Sequence, residues 1–591
     1  MKSWLLALLL TASSSALLAA SDADVLHELF ADDWQFRLDE SPGMAARFGD
    51  EEAYGLTDMS QAALDRRNRT REGFLKRLAK IDRDALSPED RINYDIFKAQ
   101  LRDDVADYKF GEYQAPLTSE SSFHSYIASI AESGRFRKLE DYQRYLKTLR
   151  QVPEYFRQQM GHMRAGLKRG FTQPRAVIGG HPDGIGAYIK EDPAETEFYK
   201  PFKEMPSFIA EADAEKARAE ARRIIADDIM PAYREYQRFM AEEYIPGARD
   251  TIGAIDLPDG RKYYEQQIRE YTTLDLSPEE IHKIGLEEVA RIRGEMDAII
   301  ESVKFEGDFA AFLQFLRTDP QFYATTPEEL LKEASYLAKK MDGKLPKLFT
   351  VLPRQPYTVE PVPAALAPNY TTGRYSGAPI DSDRPGAYWV NTYALDKRPL
   401  YNLEALTLHE AVPGHHLQTA LAQELDDLPN FRRYSYISAF GEGWGLYSER
   451  LGKEVGMYED PYSDFGRLTY EMWRAIRLVV DTGMHAMGWS RARAIDFMES
   501  NTALSTHNVR TEIDRYISWP GQALSYKLGE IKIRELRTRA EQALGEDFDV
   551  RLFHDAILAK GSVPLKVLED QIDAWIKQQQ EGLSGKADKA P

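Results

Sequence analysis

Apolar residues recur three and four apart along almost the whole chain, among abundant Glu, Arg, Lys and Ala, and that period commits the protein to helices. Between residues 138 and 168, Leu139, Tyr142, Tyr145, Leu146, Leu149, Val152, Phe156 and Met160 trace one face, with Pro153 either kinking this helix or starting another. Ser87-Pro88-Glu89-Asp90, Ser277-Pro278-Glu279-Glu280 and Thr326-Pro327-Glu328-Glu329 each show the cap, Pro and acidic first turn of a helix start. One stretch, residues 346–399, departs from the pattern: prolines and aromatics replace helix formers, and Tyr388 to Thr392 reads as a short strand after a Pro-Gly turn. The expected fold class is therefore mainly α. No long flexible linker divides residues 21–580, which read as one domain, helical over 21–345 and 400–580, with the strand-containing insert at its centre. The tail 581–591 has little to bury and is expected to be disordered.

The first twenty residues combine a basic start, a short apolar core and small residues before Ser21-Asp22, the pattern of a secretory signal peptide. The apolar run falls short of the ~20 residues a membrane span needs, so an exported protein, periplasmic or secreted, without stable membrane insertion is expected. The chain contains no Cys, hence no thiol for lipidation, no disulfide and no thiolate metal ligand. A net charge of −19 argues against nucleic acid as a partner. Oligomeric state is not legible.

Three imidazoles and a carboxylate crowd into His409-Glu410-Ala411-Val412-Pro413-Gly414-His415-His416, in a chain with 11 His. The string resembles HExxH, in which two His one helical turn apart bind zinc and the Glu activates water. Here the second His position is Pro413, which has no N–H to give and must interrupt the helix. On a regular helix, residue 415 points away from 409, at ~600° of rotation. A bulge looping out two residues would bring His415 back as the second ligand; His416 is the alternative. A third ligand fits Glu442 in Gly441-Glu442-Gly443-Trp444-Gly445-Leu446-Tyr447-Ser448-Glu449, with Glu449 two turns on as its supporting partner. The three glycines cost that helix ~1 kcal/mol each, which suggests close backbone packing.

Later segments carry further polar candidates. Asp481 and His485, four apart, are placed to orient a ligand ring or a neighbouring group; a satisfied core histidine is the bland reading. His507, Arg515, Tyr516, Tyr526 and Lys527 offer groups for an oxyanion or a substrate carboxylate. Tyr388, Val390 and Asn391, just before the His cluster, are positioned to pair with an extended substrate backbone by strand addition.

The strings HEAVPGHHLQ, GEGWGLYSE and RYISWPGQALSYKLG, in that order, resemble a widespread, often exported bacterial family of unknown function, over most of the mature chain. That family in turn resembles the helical gluzincin metallopeptidases, the group of angiotensin-converting enzyme, oligopeptidases and thermostable carboxypeptidases. Dipeptidyl peptidase III, in the wider clan, is similar in carrying an extra residue between its histidines. The resemblance implies a helical body around a deep cleft with zinc on its wall and Glu442 as third ligand. It also implies that His507 and Tyr516 stabilise the transition state, since their order with Arg515 is similar to that in angiotensin-converting enzyme. Pro413 and the His doublet depart from those relatives.

The function expected from these readings is a zinc peptidase acting on short peptides, with Glu410 as general base. Its zinc would be held by His409, His415 and Glu442, and Arg515 or Lys527 would hold the peptide terminus. The rival readings are an exported metal-dependent hydrolase of a non-peptide or cell-wall-derived bond, and a noncatalytic peptide-binding protein.

Overall fold

The computed structural model describes residues 21–587 except 51, 135, 365 and 379–383; the expected signal peptide lies outside the described residues. Helices dominate. The three sequence-marked starts are realised as Pro88–Phe110, Pro278–Ser302 and Pro327–Asp342, each with the preceding Ser or Thr side chain accepting an N–H of the first turn. Pro153 begins a second helix: Leu139–Leu149 ends, and Val152–Arg169 starts with Pro153 in its first turn. The final helix, Leu565–Ala587, runs past residue 581, so the segment expected to be disordered continues that helix at least to Ala587.

All named strands among the described residues fall in the insert: β1 (Tyr357–Pro361), β2 (Gly373–Ser376) and β3 (Gly386–Val390). Their order is β1-β3-β2, with β1 parallel and β2 antiparallel to β3. The strand found from sequence is thus the central one, and β1 and β2 are its edges.

The helix Pro461–Ala486 is buried on every side from Phe465 to His485, as befits the axis of a large helical body. It nevertheless carries Arg467, Glu471, Arg474, Arg477, Asp481 and His485 at helical spacing. Buried charges are tolerated only when paired or hydrogen-bonded: Arg467 Nη1 lies 3.1 Å from Glu471, Arg477 Nη2 lies 3.2 Å from Glu512, and Asp481 and His485 are held by hydrogen bonds. Among the described residues no helix is long and apolar enough to cross a membrane.

Candidate metal centre

The His-bearing segment starts as the helix Leu403–Glu410 and resumes as His415–Gln423. Between them the backbone leaves helical geometry at Ala411 (φ −94°, ψ −107°) and Gly414 (φ −74°, ψ −129°). Hydrogen bonding resumes out of register: Gly414 N donates to Leu408 O (3.0 Å), six residues back, and His416 N to Ala411 O (3.1 Å), five back. Only glycine fits at 414, because a Cβ there would lie 1.9 Å from His409 O. Trp444 Nε1 braces the bulge by donating to Pro413 O (2.8 Å). The bulge returns the His415 ring to the side of His409, with centroids 4.8 Å apart.

Glu442, on the helix Ser438–Glu454, meets both rings. Its Oε2 is 3.5 Å from His409 Nε2 and 3.3 Å from His415 Nε2. The three donor atoms all lie within 4.8 Å of one another. A tetrahedral zinc with bonds of ~2.0–2.1 Å separates its ligand atoms by ~3.3–3.4 Å, so the contacts to Glu442 already stand near coordination spacing. The glycines of this helix permit the approach. A Cβ at Gly445 would lie 2.8 Å from His409 Nε2, and one at Gly443 would lie 2.6 Å from the Cα of Gly529 on the helix Ser525–Leu544.

His409 is oriented from behind by Glu449, whose Oε1 lies 2.8 Å from Nδ1. With the proton on Nδ1, Nε2 presents a lone pair towards Glu442 and His415. Burial works against a charge on His409, but Glu442, Glu449 and Glu410 prevail and raise its pKa to about 9. Burial likewise opposes ionisation of Glu442; His415 and His409 outweigh it and hold that carboxyl well below its usual range. A buried group of carboxylates that retains a proton on a neighbouring imidazole has a surplus of negative charge that a metal cation would neutralise.

Glu410 adjoins the donors without being one of them. Its Oε2 accepts the Tyr375 N–H (2.7 Å), on the side of the β2 edge strand that β3 does not use. His416 takes a different direction from His415. Its Nδ1 is 3.1 Å from the Tyr375 hydroxyl and its Nε2 3.1 Å from Gln355 O, and burial lowers its pKa to about 4. It ties the insert to the His helix and stands outside the donor group.

Several sequence-based assignments are corrected. Tyr388 and Asn391 are fully buried in or beside the central strand, Tyr388 against Thr407 and Asn391 bonded to the carbonyls of Ala367, Tyr370 and Thr371. Val390 is likewise enclosed, pairing with both neighbouring strands. None can pair with a substrate; the strand edge facing Glu410 is β2. Lys527 is fully buried and its Nζ is spent on Glu288, Glu471 and Glu530 at 2.8–2.9 Å. The Tyr516 hydroxyl is taken up by Trp473 Nε1 (2.8 Å) and Arg477 Nε (2.7 Å). Asp481 accepts from Tyr264 and Gly521 N, and both His485 nitrogens bond backbone, so these two are core residues. His507 is exposed in the first turn of the helix Thr506–Ser518, eight residues or ~12 Å from Arg515.

Tyr526 does reach the centre, its ring 6.4 Å from that of His409 and inclined by 24°. Arg515 lies beside it, bonding Gln522 (3.2 Å), with Glu512 and Tyr526 both favouring its charged form. Sequence reasoning missed Tyr436, a largely exposed side chain whose ring lies 6.4 Å from that of His415. It also missed Arg374 on β2, which stacks on Tyr370 and has no carboxylate at ion-pair distance among the described residues. Neither has a sequence signal. The charged stripe of Pro461–Ala486 has one, because polar residues at helical spacing in an otherwise apolar helix mark a buried network.

The fold and site define a large, mainly α-helical protein with a buried His-His-Glu group that could hold a metal ion. The chain belongs to a family described as bacterial protein of unknown function (DUF885), whose model matches residues 42–572. It is similar to a solved candidate lipoprotein from Colwellia psychrerythraea, at 27% identity and TM-score 0.88, over 95% of this chain and 100% of that one. A candidate lipoprotein of unknown function from Shewanella oneidensis shares the fold at 19% identity and TM-score 0.71, over 93% and 99%. No curated protein matches the sequence.

Proposed function

We propose that this protein is an exported zinc-dependent peptidase that hydrolyses short peptides. The observation that carries the reading is the position of Glu410: a carboxylate beside a His-His-Glu donor group, left out of it, and fixed by the edge strand. A metal-binding group that served structure alone would have no use for it. His, His and Glu with an open position suit zinc, which supplies a Lewis acid for a carbonyl and lowers the pKa of water to ~7.

The residues of the chain supply the rest. Glu410 takes the proton of the attacking water and delivers it to the leaving amine as the C–N bond breaks, so that hydroxyl ends on the acyl carbon and hydrogen on the amine. Tyr526 and Tyr436 flank the donor group and are the phenols available to bind the oxyanion, in place of Tyr516. An extended peptide lies beside the outer edge of β2, whose Tyr375 N–H stays on Glu410, and Arg374 and Arg515 offer guanidinium groups to its polar atoms. Export is supported by the description of the two solved relatives as candidate lipoproteins. The resemblance of the motif strings to helical gluzincins points the same way.

The test is digestion of a defined peptide mixture, followed by mass spectrometry, before and after chelation and after zinc is restored. Loss of cleavage on chelation and its recovery with zinc support the proposal. Cleavage that survives complete metal removal contradicts it.

A further inference from the structure

We propose that the cleft lined by Arg317, Arg398 and Trp473 binds a carboxylate of the substrate, about three residues from the scissile bond. This rests on the peptidase reading and adds to it a substrate class, peptides carrying an acidic group at a set distance from the bond cut.

The cleft encloses about 270 Å³, near the lower end of the ~300–1,000 Å³ typical of ligand sites. Two rulers place it relative to Glu410. Thr372 lines it, and Tyr375, which binds Glu410, is three residues further along the strand, or ~10 Å at ~3.3 Å per residue. On the opposite wall, His507 and Asn508 line the cleft, and Arg515, beside Tyr526, is seven residues on from Asn508, or ~10.5 Å of helix. Both measures agree, and an extended peptide laid along β2 covers that distance in three residues.

Its charge is unusual for this chain. The lining holds Arg317, Lys397 and Arg398 against a single carboxylate, Asp396, and Lys397 occupies that carboxylate at 2.6 Å. Arg317 uses Nε and Nη2 on the carbonyls of Leu504, Glu499 and Thr502, and its Nη1 makes no hydrogen bond among the described residues. Arg398 makes two long bonds, to Tyr393 O at 3.3 Å and Tyr370 O at 3.5 Å. Neither guanidinium has a carboxylate at ion-pair distance among the described residues, and burial pulls the pKa of both down. Two half-buried guanidiniums without a counter-anion, in a protein of net charge −19, form a receptor for one. Their planar forks suit a carboxylate.

The carboxylate could belong to an Asp or Glu side chain or to the peptide's C-terminus, and one experiment separates them. The full chain is given neutral peptides in which a single Glu is walked along the sequence. Each peptide is paired with a Gln counterpart, and each is made as free acid and as C-terminal amide. Mass spectrometry gives the bond cut, and initial rates give kcat/KM. The inference predicts cutting three residues from the carboxylate, with kcat/KM higher by ~10-fold or more than for the neutral counterpart, as for a charge-assisted hydrogen bond. Loss of the preference on Glu→Gln assigns a side chain; loss on amidation assigns the terminus. In Arg398→Gln the ratio of acidic to neutral rates falls towards one. Equal rates for all peptides, or a preference that persists in Arg398→Gln, overturn the inference while leaving the peptidase reading standing. Absence of cleavage in every peptide overturns both.

Discussion

Glu449 Oε1 lies 2.8 Å from His409 Nδ1, and through that bond a residue that touches no substrate decides which nitrogen of His409 faces Glu442. Removing such a partner typically costs 10–100-fold, about 1.4–2.7 kcal/mol, in metal affinity. Glu449→Ala is expected to weaken zinc binding by ~10–100-fold, read by competition with a chromophoric chelator, whereas Glu449→Gln, which can still accept the Nδ1 hydrogen, is expected to lose less. Equal affinity in all three proteins would show that Glu449 does not orient the ring.

Lys527 makes a contrasting prediction, because its ammonium is enclosed by Glu288, Glu471 and Glu530 and reaches no solvent. Lys527→Met removes the buried cation shared by three carboxylates, leaving Glu288 and Glu471 to Arg291 and Glu530 to Arg534, and is expected to destabilise the fold by up to ~3–5 kcal/mol. Denaturant unfolding measures it. Folded Lys527→Met should keep its metal stoichiometry; a variant of unchanged stability with raised KM would restore the substrate-binding role read from sequence.

A group of buried carboxylates away from the metal sets a pH dependence. Burial, and then Glu112 nearby, raises the Glu270 pKa from its ordinary 4.5 to about 8, and burial pushes Asp107 up as well, to about 10. Across the window from about pH 4.5 to 8, the folded chain retains on Glu270 a proton that the unfolded chain has released. The contribution of Glu270 to stability therefore falls as pH rises through that window. In thermal unfolding between pH 5 and 8, wild type should lose stability relative to Glu270→Gln as pH rises. A slope unchanged in Glu270→Gln would contradict the assignment.

The helical body and the broken His helix were legible because their causes are local. Apolar spacing makes helices, and Pro413 withholds a donor wherever it sits. The return of His415 followed from counting residues through the break. That count alone favours His415 over His416; what excludes His416 was not legible, because Tyr375 and Gln355, some forty and sixty residues upstream, claim its ring. The same limit explains the misplacements. Sequence shows that Lys527 and Tyr516 are polar, but not that Glu288, Glu471, Trp473 and Arg477 satisfy them from distant helices. It shows a strand at Tyr388, but sheet order alone reveals that this strand is central and that β2 offers the free edge. Glu442 and Glu449 were found because seven residues on one helix share a face, a property their spacing carries by itself.

The central claim, that Glu410 is the general base of a metal-dependent peptidase, is tested most directly by Glu410→Gln. The account predicts a folded variant that retains the wild-type metal stoichiometry and loses peptide cleavage by ~10²-fold or more. A Glu410→Gln protein that binds metal and cleaves the same peptides at the wild-type rate would contradict it.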